Sequence, residues 1–562
     1  MRVHLGSMVG TAWVLLAKER MQLVAPSVSS MRRAAAPRVL AGAEIAGDVV
    51  QRVTLRVTAR AAGPRGPKLE EVVSETIYRE EQRLAHAAPD PRTLTDRAHV
   101  ARLRSDLAHY DEARRPEIVH GIVEHYAAQI SGHFDRRVYA ATTRILPGTL
   151  GAFLHGLVPG SAEDLHHFFD VDDRVIIDGE VGALRALAEL GTIVLAPTHV
   201  SNLDSILMGY AIHRLDLPPF AYGAGLNLFS SALLGFFMQN LGAYTVDRKN
   251  TDPLYRETLK EYTTVLLERG QHSLFFPGGT RSRSGAVETR LKMGLLGTSP
   301  IAFRHALEAE RPRPRVFVVP CTLTYPLVLE AASLVGDYLR AEGGPQYIDL
   351  RDEFDRPRRL VDFLRGLLRL DLRIHLRIGT PLDPMGNEVD HEGTSHDPRG
   401  RAVDPARYLT RDGKLAADDE RDAEYTRFLS ARLVAAYRRD TVALPTSVLA
   451  SVLLARLRRA AEQPDLFRFL RSLDPSKTVP ESDVRADLAI VLRALPDLET
   501  SGRVRVAREL RDAGPESVLT DALRTFGSYH TSPVVERRGD ALVIGDPSLL
   551  FYYANRLQGA LP

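Results

Sequence analysis

Apolar residues recur at three- and four-residue spacing through "LEEVVSETIYREEQRLAHA", residues 69 to 87, and through "IVHGIVEHYAAQISGHFDRRVYAATTRIL", residues 118 to 146. That is the spacing of a single buried stripe on an α-helix, and it predicts a helical domain over residues 67 to 168. The pattern changes near Asp172, where "RVIIDG", "TIVLAPT", "HSLFFPG" and "RVFVVPCTLTY" are short β-branched or aromatic runs that stop at Gly, Pro or Thr. Helical stretches such as "EVGALRALAEL" and "DPLYRETLKEYTTVLLERG" lie between them. Short apolar strands alternating with helices of this length predict a layered α/β domain with a largely buried sheet over residues 169 to 385. Beyond it, "NEVDHEGTSHDPRGRAVDP" reads as a long polar loop, then "AEYTRFLSARLVAAYRRD" and "SVLASVLLARLRRAAEQ" return to helix. Residues 386 to 562 are therefore expected to be mostly helical, with strand-like runs only at "DALVIGD" and "SLLFYYANRL". Residues 1 to 66 mix Ala, Arg, Pro and Gly up to "AAGPRGPK" and read as a poorly ordered lead-in and linker.

With 562 residues the chain exceeds one ordinary domain, and 44% apolar with 26% charged residues is ordinary globular usage. The single cysteine, Cys321, excludes an internal disulfide framework and fits a reducing compartment. The apolar stretch "MVGTAWVLLA" near the N-terminus is too short to span a bilayer, so membrane contact is expected to be peripheral. The net charge of +2 and the absence of a recognised module argue against nucleic acid as a partner. His391 and His396, each beside an aspartate, match no metal-ligand spacing, and no metal is expected. No G-x-S-x-G elbow follows a strand, which argues against a serine hydrolase.

Two stretches carry candidate chemistry. In "APTHVSNLDS", residues 196 to 205, His199 and Asp204 fill the turn between an apolar strand and a helix. Ser201 and Asp204 make an S-x-x-D capping box, which explains the aspartate structurally. The same geometry lets the carboxylate hold one ring nitrogen of His199 as a donor and leave the other as a base. In "FFPGGTRSRSG", a strand runs into Gly278 and Gly279, then Thr280, Arg281, Ser282 and Arg283. Glycines admit close backbone approach, and paired guanidinium forks suit a phosphate dianion. "LGAYTVDRKN" adds Arg248 and Lys249, and "VFVVPCTLTYP" is a strand in which Pro320 marks a bulge or an edge.

The order of these blocks resembles the glycerolipid acyltransferase superfamily: H-x-x-x-x-D, a G-A-Y/F block ending in Arg, F-P-E-G-T-R-S, and a V-P block. The matches are His199 and Asp204, Gly242 with Arg248, Phe276, Pro277, Gly279, Arg281 and Ser282, then Val319 and Pro320. The chain length, "RSRSG", "TYPLVLEAASLVGDYLR" and the helical region that follows look like the bacterial and mitochondrial glycerol-3-phosphate acyltransferases. The resemblance is strong over about residues 170 to 340. One departure stands out: the glutamate of the third block, assigned in the family to substrate binding or to shaping the phosphate pocket, falls at Gly278.

The resemblance implies a layered α/β acyltransferase domain with a buried mixed sheet, flanked by an N-terminal helical domain and a C-terminal mostly helical region. It further implies acyl transfer from acyl-CoA or acyl-carrier protein to the 1-hydroxyl of glycerol 3-phosphate at the cytoplasmic face of the inner membrane, among membrane surface lipids and without a cofactor. His199 is the expected general base and Asp204 its orienting carboxylate. Arg281, Arg283 and Arg248 are expected to hold the phosphate beside Gly278, Gly279, Thr280 and Ser282, with Lys249 and Lys292 as further candidates. The alternatives are another acceptor, such as dihydroxyacetone phosphate or a lysophospholipid, or a non-catalytic lipid-binding scaffold. The apolar "LFSSALLGFFMQNLGAY", residues 228 to 244, is read as core rather than as an acyl groove or anchor.

Overall fold

The computed structural model describes residues 42–87, 90–109, 111–139, 174–226, 240–342, 372–461, 465–473 and 478–561. The N-terminal apolar stretch and residues 228–239 of the stretch read as core lie outside the described residues.

The first described element corrects the expectation of a lead-in. Residues Gly42–Ala62 form a helix, α1, with Ile45, Val49, Val53 and Val57 buried along one face. The Ala, Gly and Arg between them dominated the composition, but the four-residue apolar spacing is what the tertiary structure uses. Helices α2 (Leu69–Ala85), α3 (Pro91–His109) and α4 (Arg115–Ile130) complete the unit, with Ile118, Val119, Ile122, Val123, Tyr126 and Ile130 of α4 buried at its centre.

The α/β layer follows in the order β1 (Val175–Gly179), α5 (Val181–Leu190), β2 (Thr192–Pro197), α6 (Asp204–Arg214), β3 (Ala221–Gly225), β4 (Ala243–Val246), α7 (Pro253–Glu268), β5 (Ser273–Leu274), α8 (Thr298–Glu308), β6 (Val316–Thr324), α9 (Ala331–Glu342) and β7 (Ile374–Ile378). Among the described residues these strands form one sheet, ordered β1-β7-β6-β2-β5-β3-β4. It is mixed, as expected, because β7 pairs antiparallel with β6 while β2 to β6 run parallel. All nine residues of β6 and all six of β2 are buried, which explains their unbroken apolar character.

Pro320 marks no edge. It stands in β6 between β2 and β7, paired with Ala196, and its carbonyl accepts from the Gly379 amide at 2.8 Å, just beyond the end of β7. The missing N–H therefore falls at a bulge: Cys321 pairs with Ile378 and Val318 with Leu382, which leaves one extra residue on the neighbouring chain opposite Pro320.

The helical unit is anchored on α7 by both apolar contact and charge. Tyr255, Leu259, Tyr262 and Val265 of α7 share a core with Val49, Val53 and Ile122. Arg52 bridges Glu261 at 3.4 Å and Glu268 at 2.6 Å, and Arg60 meets Glu257 at 2.9 Å. Burial opposes the charge of Glu268, but hydrogen bonds from His305 and Arg52 outweigh it and hold its pKa at about 2.

After β7 the expected long loop contains the short strand segments Glu388–Val389, Ser395–His396 and Ala402–Val403, paired antiparallel. His396 Nε2 sits 2.9 Å from Asp390 Oδ2. Helices α10 (Asp419–Asp440), α11 (Pro445–Ala460), α12 (Glu481–Thr500), α13 (Pro515–Phe526) and α14 (Pro547–Asn555) follow. The last corrects the strand-like reading of "SLLFYYANRL": Asp546 caps the Ser548 and Leu549 amides at 2.9 and 3.0 Å, and Pro547 occupies the first turn. Those start signals outweigh the aromatic content. Residues Ala541–Ile544, within "DALVIGD", form the middle strand of a small antiparallel sheet.

His272, just ahead of β5, accepts the Ile193 amide at 3.0 Å through Nδ1 in the sheet interior. Burial, aided by Arg313, pushes its pKa down from 6.5 to about 4. Because the unfolded chain binds this proton more readily, the stabilisation is whole above pH ~6.5 and is lost as pH falls towards ~4, about 3 kcal/mol across that window. Denaturant unfolding at pH 7, 5.5 and 4 is expected to show the decline. His272→Asn, whose Oδ1 replaces the accepting nitrogen, should flatten it; an equally steep decline in that variant would assign the effect elsewhere.

Candidate active site

Because β2 to β6 run parallel, their carboxyl ends open along one edge of the sheet, the edge where ligands bind in open α/β sheets. His199 follows β2, Arg248 follows β4, the 276–283 turn follows β5 and Tyr325 follows β6. Four loops far apart in sequence are thereby collected at one place.

Asp204 is the first residue of α6 and is fully buried. Its Oδ2 accepts from the Val200 amide at 2.6 Å, the Ser201 amide at 2.9 Å and His199 Nδ1 at 2.8 Å. Its Oδ1 accepts from the Tyr325 hydroxyl. An ionised carboxylate only accepts, so Nδ1 carries the imidazole proton and Nε2 is left with its lone pair. The capping interpretation is half right. Asp204 reaches back to the Ser201 amide, but the N-cap position is Leu203, and the Ser201 hydroxyl donates to Glu330 Oε2 at 2.8 Å. Burial and the charge of Asp204 push the Tyr325 pKa well up, which keeps its phenol a donor.

The main chain of His199 is held as well. Its amide donates to Glu288 Oε1 at 2.6 Å, and its carbonyl accepts from the Ser282 amide at 2.8 Å. The ring stacks on Phe276 with centroids 4.2 Å apart and planes 25° from parallel. Glu330, with 0% exposure, accepts the Asn202 amide at 2.9 Å and Arg281 Nη1 at 3.3 Å on Oε1. Burial raises its pKa against the opposing pull of Arg281. The first and third sequence blocks are thus tied together through one buried carboxylate.

Arg281 also lies close enough to Arg248 to matter: partial desolvation, then repulsion from Arg281, lowers the Arg248 pKa. Two guanidinium groups in each other's field are relieved by a bound anion. Gly279, at φ +78°, has the Lys292 stem against it; a Cβ there would lie 2.9 Å from Lys292 Cγ. Thr280 and Lys249 are exposed, and Arg283 is partly exposed in the same turn as Arg281. The Lys249 amide donates to Asp247 at 2.9 Å, and the Ser282 hydroxyl donates to the Ala286 carbonyl at 2.6 Å, closing the turn.

Two distant parts of the chain brace this edge. Asn250 Nδ2 donates to Glu80 at 2.7 Å, Tyr126 donates to Asp252 at 2.6 Å, and Arg83 reaches Asp247 at 3.5 Å, so α2 and α4 shape the loop that carries Arg248. From the C-terminal side, α14 packs onto the "RSRSG" turn: Asn555 donates to the Ser284 carbonyl at 2.8 Å. Gly285, at φ +81°, has room only for a hydrogen, since a Cβ would fall 2.0 Å from the Tyr552 carbonyl oxygen.

Three site residues escaped the sequence reading: Glu288, Tyr325 and Glu330. Tyr325 immediately follows the V-P strand and Glu330 is the only acid in "TYPLVLE", so their position after β6 was the available signal.

Residues 180–324 match the family model described as Acyltransferase, a span that contains every candidate site residue named above except Tyr325 and Glu330. A protein from Pseudomonas aeruginosa strain PAO1 named glycerol-3-phosphate acyltransferase is 26% identical over 385 residues, 66% of this chain and 40% of that protein. Another of the same name, from Baumannia cicadellinicola, is 32% identical over 155 residues, 27% of this chain and 18% of its own length. The chain thus spans about two fifths of the length of the Pseudomonas relative and less of the other. The chain is accordingly similar over residues 180–324 to the Acyltransferase family, and more widely to proteins named glycerol-3-phosphate acyltransferase.

Proposed function

We propose that this chain transfers a fatty acyl group from an acyl thioester to the 1-hydroxyl of glycerol 3-phosphate, giving lysophosphatidate. The observation that carries this reading is the 2.8 Å bond between His199 Nδ1 and a fully buried Asp204, beside two arginines that share one electrostatic field. His199 Nε2 takes the proton of the acceptor hydroxyl, and the oxygen attacks the thioester carbonyl. The tetrahedral intermediate collapses, breaking the C–S bond, and the imidazolium returns the proton to the thiolate. Asp204 keeps the tautomer and stabilises the imidazolium. No covalent acyl-enzyme forms, and the step draws on no cofactor. Backbone amides of the Gly278–Gly279 turn are suited to the oxyanion.

Arg281 and Arg248 bind the phosphate, with Arg283, Lys249 and Lys292 at its rim and Gly278, Gly279, Thr280 and Ser282 shaping the turn. Fixing the phosphate holds the hydroxyl near His199 and converts a bimolecular encounter into an effectively unimolecular step. The acyl donor is acyl-CoA or acyl-carrier protein. The product is a lipid, so the protein works peripherally at the cytoplasmic face of the inner membrane; no helix among the described residues is long and apolar enough to cross one.

The test is incorporation of radiolabelled glycerol 3-phosphate into lipid by purified protein in vesicles, with palmitoyl-CoA and with palmitoyl-carrier protein. Dihydroxyacetone phosphate and a lysophospholipid serve as competing acceptors. Label is expected in lysophosphatidate and outcompeted poorly by either rival. Equal or better use of a rival acceptor would replace glycerol 3-phosphate in the assignment.

A further inference from the structure

We propose that Glu288 stands in for the glutamate missing at position 278, as a positioning residue for His199. The inference rests on the reading of His199 as the general base. Its starting point is the space in front of Gly278. A Cβ at that position would meet Glu288 Cγ at 3.1 Å and Oε1 at 3.5 Å. The volume into which a side chain from position 278 would grow is therefore filled by a carboxylate that arrives from ten residues further along the chain. Two acidic side chains cannot share it without crowding and like-charge repulsion. Glycine at 278 and glutamate at 288 are two halves of one arrangement.

The carboxylate is bound to the catalytic turn. Oε1 accepts the His199 amide at 2.6 Å, a short charge-assisted bond that fixes the backbone from which the imidazole projects. The opposite side of the same residue is held by Ser282, so the segment from Gly278 to Glu288 clamps His199 at both its N–H and its C=O. Oε2 of Glu288 is buried and has no hydrogen-bond partner among the described residues. The charge of Glu288 is felt by Arg556, just beyond α14, and by His199. Burial raises the Glu288 pKa, and the charge of Arg556 and the hydrogen bond from the His199 amide oppose the rise. A negative charge here favours the imidazolium that forms as the acceptor loses its proton.

The experiment compares wild type with Glu288→Gln, Glu288→Ala, Gly278→Glu and the exchange Gly278→Glu/Glu288→Ala in the full chain, using glycerol 3-phosphate and palmitoyl-CoA. Glu288→Ala is expected to lower kcat about 10- to 100-fold while KM for glycerol 3-phosphate changes less than about threefold. Glu288→Gln keeps the size and an oxygen that accepts the His199 amide, so it should retain most of the kcat that Glu288→Ala loses. Gly278→Glu alone should be impaired, and the exchange should regain about tenfold or more over Glu288→Ala.

Amide hydrogen exchange across residues 198–201 supplies a readout independent of turnover: faster in Glu288→Ala, slowed again in the exchange. A folded Glu288→Ala with near-normal kcat and unchanged exchange overturns the proposal, as does an exchange variant that is folded and recovers neither. A wild-type protein inactive on every acceptor would instead remove the acyl-transfer reading, and the exchange rates would still decide whether Glu288 positions His199.

Discussion

His199→Ala is expected to lower kcat by about 10²- to 10⁴-fold, the range that a positioned general base contributes, with KM for glycerol 3-phosphate little altered. Among the described residues the imidazole hydrogen-bonds through Nδ1 to Asp204 alone and lies on Phe276, so no phosphate contact is expected to be lost with it. Asp204 keeps three donors in the variant, from Val200, Ser201 and Tyr325, and its charge is not left bare. The thermal midpoint should therefore move by only a few degrees, which separates lost chemistry from lost folding. Single-turnover measurement with saturating acceptor checks this directly. A well-folded variant that turns over at near-normal rate would remove His199 as the base.

Arg281→Ala is expected to act on the other parameter. Hydrogen bonds to a charged group contribute about 1.5–3 kcal/mol, so KM for glycerol 3-phosphate should rise about 10- to 150-fold, with a smaller change in kcat. Part of that cost comes from the protein itself, since Arg281 also offsets the buried charge of Glu330, which in turn holds Ser201 and Asn202 beside the catalytic turn. Arg281→Lys keeps a positive charge but not the planar fork, and should fall between the two. If phosphate-bearing and phosphate-free acceptors lost efficiency equally in Arg281→Ala, the residue would be acting through the turn rather than through the phosphate.

Much of the fold was legible because it depends on periodicity. The fully buried β2 and β6 read as unbroken apolar runs, and α5, α6 and α7 appeared where a helical stripe began beside Pro, Asp or Gly. What failed did so for local reasons. Helix α1 was hidden by Ala-, Gly- and Arg-rich composition, and α14 by aromatic content that a helix buried against the active-site turn can also use. Pro320 fits a bulge or an edge by sequence, and only the pairing of Val318 with Leu382 beyond it decides for the bulge.

The sequence alone singled out the candidate pair, a histidine five residues before an aspartate at a strand-to-helix turn, and in this chain Asp204 accepts from both His199 Nδ1 and the Ser201 amide. It also determined the arginine-bearing turn after the two glycines. Only the tertiary structure decided which side chains support them. Glu288, Glu330 and Tyr325 reach His199, Ser201 and Asp204 across separations of 89, 129 and 121 residues. Such partners are chosen by the parallel register of β2, β5 and β6, which aligns their carboxyl ends on one edge of the sheet. Hydrogen bonds of that range leave no period in the sequence, because what brings the groups together is the packing of the whole sheet rather than the spacing along any one element.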